Sequence, residues 1–422
     1  MNVKLSKMKI LAVAHGLWRG GAQESFLDML RLLKSKSLDI SVVMCDQADF
    51  SFVSDIKKLK VATFLAPYRI AATYTDIAIE KFSKLVESSD IIWISDIEYP
   101  VALKVKRIRK DHSVIAHIHS YALICPLRTA AYGLLEICMK RCSVQQFIRC
   151  KQLLHKHYTE SDLSSKPKIM FRQLLDCVKG PIDFMSWSIT RSKMNVIDNI
   201  DAFVAVSNFV KDLNLTHLPY LSSVPIEVVP NPILIPKLRK NKELLKDNST
   251  ILYASGPDLT KGVHIALYTV RELLFEGRKD IMLIMLGSRG NTWIEKTVRK
   301  LRIQENVKLL PKLKREEVYI LMANCKLVLM PSISPEAFGR VPAEANLLGT
   351  PAIVSNRGAL PEIIVNGVTG FVTEPSIEAF TRAVNDALST EWDRQQIIST
   401  AEARFNPQRI AEVFLHLFKK FA

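Results

Sequence analysis

The protein is a chain of 422 residues, of which 48% are hydrophobic and 24% are charged, and this balance excludes an intrinsically disordered chain. At about 100–200 residues per domain, the length predicts two to three domains. The 58 Lys and Arg residues outnumber the 42 Asp and Glu residues, which gives a formal net charge of +16 and favours an anionic partner, whether nucleic acid, acidic lipid headgroups or phosphorylated small molecules.

The sequence contains no predicted membrane span. The apolar stretch 113–127 is shorter than the about 20 residues that a spanning helix needs, and it includes His117, His119 and Pro126. At the N-terminus, lysines beside a brief apolar run predict a first strand rather than a signal peptide. We therefore expect the protein to stay in the cytoplasm.

The first half of the chain alternates short apolar runs with longer amphipathic runs. This alternation predicts strands and helices in turn, and the continuous apolar strands predict a parallel sheet that is covered on both faces. Amphipathic runs predict helices at Ala22–Lys34 and Asp76–Glu87. The predicted strands are Lys9–Ala14, Ile40–Cys45, Val61–Leu65, Ile91–Ile94, Val114–Ile118 and Ala202–Val206.

Two glycines, Gly20 and Gly21, stand between the first predicted strand and the first predicted helix. Glycine lets the backbone approach a ligand closely, and a helix N-terminus offers free N–H groups and positive potential. The turn therefore predicts a phosphate contact, although two glycines alone also fit a plain tight turn. The run is not G-x-G-x-x-G, so it does not indicate a dinucleotide fingerprint.

The stretch of about residues 130–199 breaks this rhythm, because it is rich in Lys, Arg and large apolar residues and shows no clear strand. We expect a basic, mainly helical excursion. Two interpretations carry equal weight: docking on an anionic membrane surface, or a helical subdomain with a solvated basic face.

Four of the seven cysteines cluster in the sequence, and an odd number in a chain without an export signal argues against a disulfide framework. The spacings lack the paired C-x-x-C knuckles of zinc sites, so packing is favoured over metal binding. Cys138 and Cys142 are also one helical turn apart, which fits two thiols on one helix face. The clustered residues are Cys125, Cys138, Cys142 and Cys150.

A proline-rich boundary at residues 229–233 separates the two halves, because Pro230 and Pro232 restrict the backbone on both sides of Asn231. The alternation then restarts. It predicts strands Ile251–Ala254, Ile281–Leu286, Val307–Leu310, Leu327–Met330 and Ala352–Val354, and helices Val263–Phe275, Trp293–Leu301, Arg315–Ala323, Val341–Leu348 and Pro407–Phe421.

We therefore predict an α/β protein with two Rossmann-like, doubly wound domains that face an interdomain cleft. The predicted domains are residues 1–230 and 231–405, and we expect residues 406–422 to form a terminal helix that crosses back to the first domain. In α/β sheets, ligands bind at the carboxyl ends of the strands, which places the predicted site in the cleft.

The loop after the predicted strand Leu327–Met330 carries the strongest motif. Glu336 and Glu344 are eight positions apart, one in the loop and one in the following helix. Gly339 permits a close backbone approach, and the N–H groups near the start of that helix face any anion that docks there. Carboxylates in such a place predict hydrogen bonds to sugar hydroxyls.

These residues resemble a known family. Residues 336–344, EAFGRVPAE, are similar to the E-x7-E signature of the retaining glycosyltransferase family 4, which has the GT-B fold. Residues 119–126, HSYALICP, resemble the motif of that family's N-terminal domain, which usually begins His-Asp-Tyr. The hinge at 229–232 and the run 358–370 also match in place and order, so the resemblance covers nearly the whole chain.

The resemblance implies a role for each matching residue. Glu336 would hold hydroxyls of the transferred sugar, Glu344 would bind the nucleotide ribose, and Lys261 would bind the donor diphosphate. His119 would lie near the reacting sugar and the acceptor, where a positioning role is favoured over that of a general base. The implied catalytic residues are His119, Lys261 and Glu336, and the implied donor-binding residues are Gly20, Gly21, Lys261, Glu336, Ala337, Phe338, Gly339, Arg340, Val341 and Glu344.

Two positions depart from the family's pattern. Pro257 stands where the family has an arginine on the diphosphate, and Ser120 replaces the usual Asp beside His119. The role of the missing arginine is either lost or taken by Arg289 or Arg340.

The implied activity is retaining transfer of a sugar from a UDP-, GDP- or ADP-sugar to a glycan or lipid-linked acceptor, in surface polysaccharide or glycolipid biosynthesis. No metal or cofactor is expected, since nothing resembles the Asp-x-Asp pattern of metal-dependent transferases. Three alternatives remain: a nucleotide-sugar epimerase or phosphorylase, a non-catalytic nucleotide-sugar-binding protein and, remotely, a nucleic-acid-binding protein. No recognisable nucleic-acid-binding module supports the last.

Overall fold

The computed structural model of the protein describes residues 8–14, 20–45, 48–66, 76–95, 101–125, 131–132, 136–139, 142–143, 145–150, 197–236 and 249–422. Most of the predicted basic excursion at 130–199 lies outside the described residues. None of the helices that the structure describes has both the length and the apolar character needed to cross a membrane.

The N-terminal domain is built on a seven-stranded sheet in which every pair of neighbours is parallel. The strand order is β3-β2-β1-β4-β5-β8-β9. Its central strands are buried on both faces, as in β4, where all five residues are buried. The strands are β1 Lys9–Val13, β2 Asp39–Cys45, β3 Ala62–Ala66, β4 Ile91–Ser95, β5 Ser113–Ile118, β8 Ala202–Ala205 and β9 Ile226–Val228, while β6 Ala131–Tyr132 and β7 Glu136–Ile137 form a separate hairpin.

Helices cover both faces of this sheet. The first of them begins immediately after Gly20, whose carbonyl accepts from Glu24 N at 3.0 Å. The helices described in this domain include residues 145–150 and α1 Gly21–Ser35, α2 Phe50–Lys58, α3 Asp76–Glu87, α4 Val101–Ile108 and α5 Asn208–His217.

The C-terminal domain repeats the arrangement with six parallel strands in the order β12-β11-β10-β13-β14-β15. Its strands are β10 Ser249–Tyr253, β11 Ile281–Met285, β12 Val307–Leu309, β13 Leu327–Met330, β14 Ala352–Ser355 and β15 Gly370–Thr373. Its helices are α6 Val263–Phe275, α7 Thr292–Leu301, α8 Arg315–Asn324, α9 Arg340–Leu347, α10 Leu360–Ile363, α11 Ile377–Ser389 and α12 Arg394–Phe405. Two parallel-sheet, Rossmann-like domains confirm the predicted fold class.

The last helix, α13 Pro407–Phe421, returns to the N-terminal domain and packs on its core. Asn406 caps it, because its side chain accepts from the backbone N–H groups of Gln408 and Arg409 at 2.9 and 3.1 Å. The ring of Phe414 lies 5.8 Å from that of the buried Trp93 on β4. Burying a side chain of this size contributes about 1.5–3 kcal/mol, so α13 ties the end of the chain firmly to the first domain.

The structure corrects two expectations about residues 130–199. The stretch does contain strands, because Ala131–Tyr132 pairs antiparallel with Glu136–Ile137, and two-residue strands are too short to show an alternating pattern. Cys138 directly follows the second of these strands and is not helical, so the prediction of two thiols on one helix face is wrong.

Candidate functional site

The candidate site lies where the carboxyl ends of the two parallel sheets face each other. In each sheet the strand order reverses beside the first strand of the domain, at β1/β4 and at β10/β13. Such switch points leave a crevice in which α/β domains bind ligands. Gly20 and Gly21 follow β1, Lys261 follows β10, and Glu336 follows β13, so the topology brings the predicted residues to these edges.

Glu336 and Lys261 form an ion pair. The Lys261 Nζ donates to Glu336 Oε1 at 2.7 Å, and the hydroxyl of Ser332 donates to the same oxygen at 2.6 Å. The Glu336 side chain is 12% exposed and that of Lys261 is 35% exposed, so the pair is reachable from the cleft. Two of the three predicted catalytic residues are therefore in direct contact.

The Glu336 loop is held against the loop that follows β14. Gly358 has φ 64°, and a Cβ there would lie 2.2 Å from the Glu336 carbonyl oxygen, so only glycine fits. The N–H of Ala359 donates to that carbonyl at 2.8 Å. This packing fixes the backbone of Glu336 independently of its side-chain contacts.

Gly339 fixes the start of helix α9. Its φ is 102°, and a Cβ would lie 2.7 Å from a methyl group of Leu360, so a larger residue would be strained and crowded. The helix begins at the next residue, Arg340, and Val341 follows in its first turn. The first N–H groups of α9 thus lie directly beside the Glu336 loop.

The side chain of Phe338 does not serve the cleft. It is buried, and its ring packs edge-on against Phe405 at 5.8 Å. It also lines a cavity of about 490 Å³ that lies on the hinge side, next to Pro230 and Arg409. The backbone of the neighbouring Ala337 is likewise engaged, because its carbonyl accepts from Ser207 Oγ at 2.7 Å. Only the backbone N–H groups of this pair remain as candidates for donor binding.

Glu344 occupies a more enclosed environment than Glu336. Its Oε1 accepts from Arg340 Nε at 2.8 Å and from Tyr319 Oη at 3.1 Å. Burial raises the pKa of Glu344, and the charges of Arg340 and Arg315 offset part of this effect. These contacts with described residues all use Oε1, so the ribose-binding role that the resemblance implies falls to Oε2.

The glycine turn at Gly20 and Gly21 is connected across the cleft to Arg340, which binds Glu344. Gly20 N donates to Gln23 Oε1 at 3.2 Å, and Ser25 Oγ donates to the carbonyl of Gly21 at 2.9 Å. Arg340 of the other domain donates to the same Ser25 hydroxyl at 3.0 Å. A Cβ built on Gly21 would come within 4 Å of no atom of the described residues beyond its chain neighbours and the nearby backbone of its own helix.

His119 is buried and neutral. Its ring lies 3.9 Å from that of His117 between centroids, at an interplanar angle of 41°, and among the described residues no hydrogen bond is assigned to the ring nitrogens of either histidine. Burial lowers the pKa of His119 to about 3, although Asn231 of the hinge offsets the effect in part, and burial also lowers the pKa of His117. A neutral imidazole in this place suits a positioning role better than proton transfer at neutral pH.

Tyr121 links this motif to the C-terminal domain. Its side chain is buried, and its hydroxyl has no hydrogen-bond partner among the residues that the structure describes. Burial raises the pKa of Tyr121, and the charges of Glu336 and Glu362 raise it further, which places the phenol within electrostatic reach of Glu336. Tyr121 of this motif therefore lies near the E-x7-E segment.

Three arginines are candidates to take over the diphosphate contact of the family's arginine, which Pro257 replaces. The Arg340 guanidinium is already engaged with Ser25, Glu344 and Asp28, and the Arg289 residue is exposed at the surface. Arg357 follows β14 directly beside Gly358, and its buried Nε has no hydrogen-bond partner within the described part of the chain. Sequence reasoning missed Arg357, Tyr319, Arg315 and Asp28; the last carried one signal, a carboxylate in the apolar run Phe26–Leu30.

The clustered cysteines are close together in space, because Cys125, Cys138 and Cys150 each act electrostatically on Cys142. Burial is the main cause that raises the pKa of Cys142 to about 12. None of the cysteines in the described part of the chain forms a disulfide. Within that same part, no three His, Cys, Asp or Glu side chains are placed to hold a metal ion.

Comparison with protein families gives one match in the C-terminal domain. Residues 235–404 match the model of the family described as "Glycosyl transferases group 1". The curated relatives are distant. "Spore coat protein SA" of Bacillus subtilis is 26% identical over 42% of this chain and 50% of its own length.

Two further relatives are named as transferases. The "Capsular polysaccharide biosynthesis glycosyltransferase CapM" of Staphylococcus aureus is 26% identical over 58% of this chain and 68% of its own length. The "Lipopolysaccharide 1,2-N-acetylglucosaminetransferase" of Salmonella typhimurium is 24% identical over 53% of this chain and 63% of its own length. The chain spans 50% to 68% of the length of these three curated relatives.

Solved structures share the fold over the whole chain. Anabaena Alr3699/HepE, in complex with UDP and glucose, superposes with a TM-score of 0.71 at 16% identity, over 98% of this chain and 100% of that one. The lipopolysaccharide outer core galactosyltransferase WaaB, in its apo form, gives a TM-score of 0.63 at 15% identity, over 98% and 100%. At this level of identity the likeness shows the shared two-domain GT-B fold.

Proposed function

We propose that the protein is a retaining glycosyltransferase of family 4 that moves a sugar from a nucleoside diphosphate sugar to a glycan or lipid-linked acceptor. The observation that carries the proposal is the Lys261–Glu336 ion pair of 2.7 Å, held at the switch point of the C-terminal sheet and facing the glycine turn of the other domain. The family match at residues 235–404 supports it, because it covers the domain that holds this pair.

The donor would lie across the cleft with its diphosphate between the two domains. The backbone at Gly20 and Gly21 would approach it from one side, and the first N–H groups of α9 would approach it from the other. The Lys261 ammonium supplies the positive charge. We assign to Arg357 the second cationic contact, which the family resemblance places at position 257, because it adjoins Gly358, which packs on Glu336, and its Nε has no partner among the described residues.

The chemistry explains why these residue types are needed. Transfer breaks the bond between the anomeric carbon and the β-phosphate oxygen, and negative charge then develops on the diphosphate. Lys261 and the aligned N–H groups stabilise that charge in a site partly shielded from water. In the retaining mechanism, the departing phosphate accepts the proton of the attacking acceptor hydroxyl. Glu336 binds sugar hydroxyls, and the neutral His119 orients the sugar.

The proposed reaction uses no metal ion, because cationic side chains and backbone dipoles stabilise the leaving diphosphate. Transfer activity should therefore be unchanged after dialysis against EDTA. Activity that disappears with EDTA and returns with Mg²⁺ or Mn²⁺ would contradict this part of the mechanism.

The acceptor is proposed from the relatives and the charge of the chain. Two of the relatives are named for capsular polysaccharide and lipopolysaccharide. A net charge of +16 would favour an enzyme that works on a cytoplasmic, anionic membrane surface, where lipid-linked precursors are extended. We therefore propose a role in surface polysaccharide or glycolipid biosynthesis.

The experiment is a screen of UDP-, GDP- and ADP-sugars for turnover by the full chain, followed by two variants. Lys261→Ala should lower turnover at least about 100-fold, since it removes a charge that stabilises the leaving group. Lys58→Ala is the matched control, because Lys58 forms an exposed ion pair with Asp55 at the surface. Equal activity in both variants would remove the site assignment, and an epimerised free sugar without transfer would indicate the epimerase alternative.

A further inference from the structure

A single buried carboxylate joins the two domains at the cleft. Asp28 lies on α1 of the N-terminal domain, and its side chain is fully buried. Its Oδ2 accepts from Arg315 Nη2 at 2.7 Å and from Arg340 Nη2 at 2.6 Å, and both arginines belong to the C-terminal domain. Its Oδ1 accepts from Arg315 Nη1 at 3.1 Å, so Arg315 binds it through two parallel hydrogen bonds.

The network continues from Asp28 to the E-x7-E segment. Arg340 is held by Asp28 at one end of its guanidinium, and its Nε donates to Glu344 Oε1 at 2.8 Å. Arg315 also lies 3.8 Å from the same carboxylate oxygen. The orientation of Glu344 in the C-terminal domain is thus set partly by a residue of the N-terminal domain.

The charges of this cluster balance. Three carboxylates meet three guanidinium groups, and all six side chains are connected by ion pairs of 3.8 Å or less. Burial alone would raise the pKa of Asp28, but the hydrogen bond from Arg315 and the charge of Arg340 lower it below its usual value. The members are Glu24, Asp28 and Glu344 with Arg31, Arg315 and Arg340.

A buried ion-pair cluster of this kind is poor evidence for stability, because desolvation can cost as much as the attraction returns. Its position suggests another use. Ser25, one helical turn before Asp28, connects Arg340 to the carbonyl of Gly21 in the glycine turn. The same guanidinium therefore touches both the turn that would contact the diphosphate and the carboxylate that would contact the ribose.

We propose that Asp28 and Arg315 are positioning residues of the nucleotide site: they hold Arg340 against Glu344, so that the ribose contact is formed only when the two domains are closed. The inference rests on the proposed function. It implies that nucleotide binding and domain closure stabilise each other, since both require the same carboxylate–guanidinium contacts.

The test uses the full chain and measures binding by titration calorimetry. The probes are UDP, GDP and ADP, and the one that the wild-type protein binds best is compared with its 2′,3′-dideoxy counterpart, which lacks the ribose hydroxyls. Wild type should bind the normal nucleotide about tenfold or more tightly than the dideoxy form. Asp28→Asn should weaken binding of the normal nucleotide about tenfold and leave binding of the dideoxy form nearly unchanged.

Arg315→Met provides a second way to break the same contact, because the Arg315 side chain is 27% exposed and its loss is less disruptive to folding. It should show the same loss of discrimination between the two nucleotides. In a Glu344→Gln background, neither substitution should weaken binding further, since both act through Glu344. In a Lys261→Ala background, each should keep its full effect.

Asp201→Asn is the control, because Asp201 forms a partly buried ion pair with Lys106 entirely within the N-terminal domain, at 2.8 Å. It should leave nucleotide discrimination intact. If Asp28→Asn and Arg315→Met weaken the normal and dideoxy nucleotides equally, or add fully to Glu344→Gln, the positioning role is overturned. If wild type binds none of the three nucleotides, the proposed function fails instead.

Discussion

The two walls of the cleft use different chemistry. The C-terminal wall presents charged groups, Lys261 paired with Glu336 and Arg340 paired with Glu344. The N-terminal wall presents a glycine turn and the buried pair His117 and His119, whose pKa values burial lowers. The charged C-terminal wall is therefore suited to bind an anion, whereas the glycine turn and buried histidines of the N-terminal wall shape the space around it.

The largest effect should come from the charged wall. Glu336→Gln keeps the shape of the side chain but removes its charge and weakens its contacts with Lys261 and Ser332. Turnover should fall about 100-fold or more, because in the proposed mechanism this group binds the transferred sugar at the reacting end. Steady-state kinetics check this, with Glu80→Gln at a fully exposed ion pair as the control. An unchanged turnover number would show that the sugar binds elsewhere.

A smaller effect on turnover is expected at Arg357, the cationic residue that the sequence motifs did not indicate. Arg357→Ala should raise the KM for the donor about tenfold and lower turnover less than Lys261→Ala does, since Lys261, which also contacts Glu336, remains in place. Arg289→Ala, which changes an exposed residue, is the matched control. If Arg289→Ala raises the KM and Arg357→Ala does not, the assignment of the second contact is wrong.

The buried, neutral histidines His117 and His119 of the N-terminal domain predict that the stability of the protein is sensitive to acid. Above about pH 6.5 the two histidines are neutral in both the folded and the unfolded chain, and they do not affect stability. As the pH falls from 6.5 towards 5, the unfolded chain binds protons that the buried rings do not, so the free energy of unfolding should fall by about 2 kcal/mol for each histidine.

Urea unfolding at pH 7 and pH 5 measures this loss. His117→Phe should reduce the loss, since a phenyl ring can take the place of the imidazole between Trp93 and Phe414. His416→Gln, at an exposed position, should leave it unchanged. The same loss in all three proteins would mean that other groups carry the acid sensitivity.

The smallest effect is expected on the hinge side, away from both walls. Ser207 Oγ donates to the Ala337 carbonyl at 2.7 Å and accepts from Val210 N at 3.2 Å as the cap of α5. Ser207→Ala should lower the free energy of unfolding by about 1–2 kcal/mol and leave nucleotide affinity unchanged. Thermal unfolding and calorimetry on the same sample separate the two outcomes, and a weaker nucleotide affinity would contradict this separation.

Most of the strands were predictable because each is a short, continuous apolar run between turn residues, but β15, which is four residues long and begins with Gly370, was missed. The bounds of β13 and α6 match the predicted ones, as do those of α13. The short strand β9 was missed, because three half-exposed residues show no pattern. The helices α11 and α12 were missed as well, although Ser376 and Asp393 cap them with local side-chain hydrogen bonds that the sequence could have indicated.

Some residues of the candidate site were likewise predictable from the sequence and others were not. Local motifs located Glu336, Lys261 and the glycine turn, since each lies at a strand end whose place in the sheet follows from topology. The network around Glu344 could not be found from local motifs, because Asp28 is 312 residues from Arg340 and 287 residues from Arg315 in the sequence. These residues meet only when the two domains pack. Such long-range contacts depend on the relative placement of two sheets, and no local pattern encodes it.

The most direct test compares two affinities in three proteins. Wild type, Glu336→Gln and Glu344→Gln are titrated with the preferred sugar nucleotide and with the matching nucleoside diphosphate. Glu344→Gln should weaken the binding of both ligands, whereas Glu336→Gln should weaken only the binding of the sugar nucleotide. Equal weakening of the two ligands by Glu336→Gln, or no effect of either substitution, would contradict the assignment of sugar and ribose to these two carboxylates.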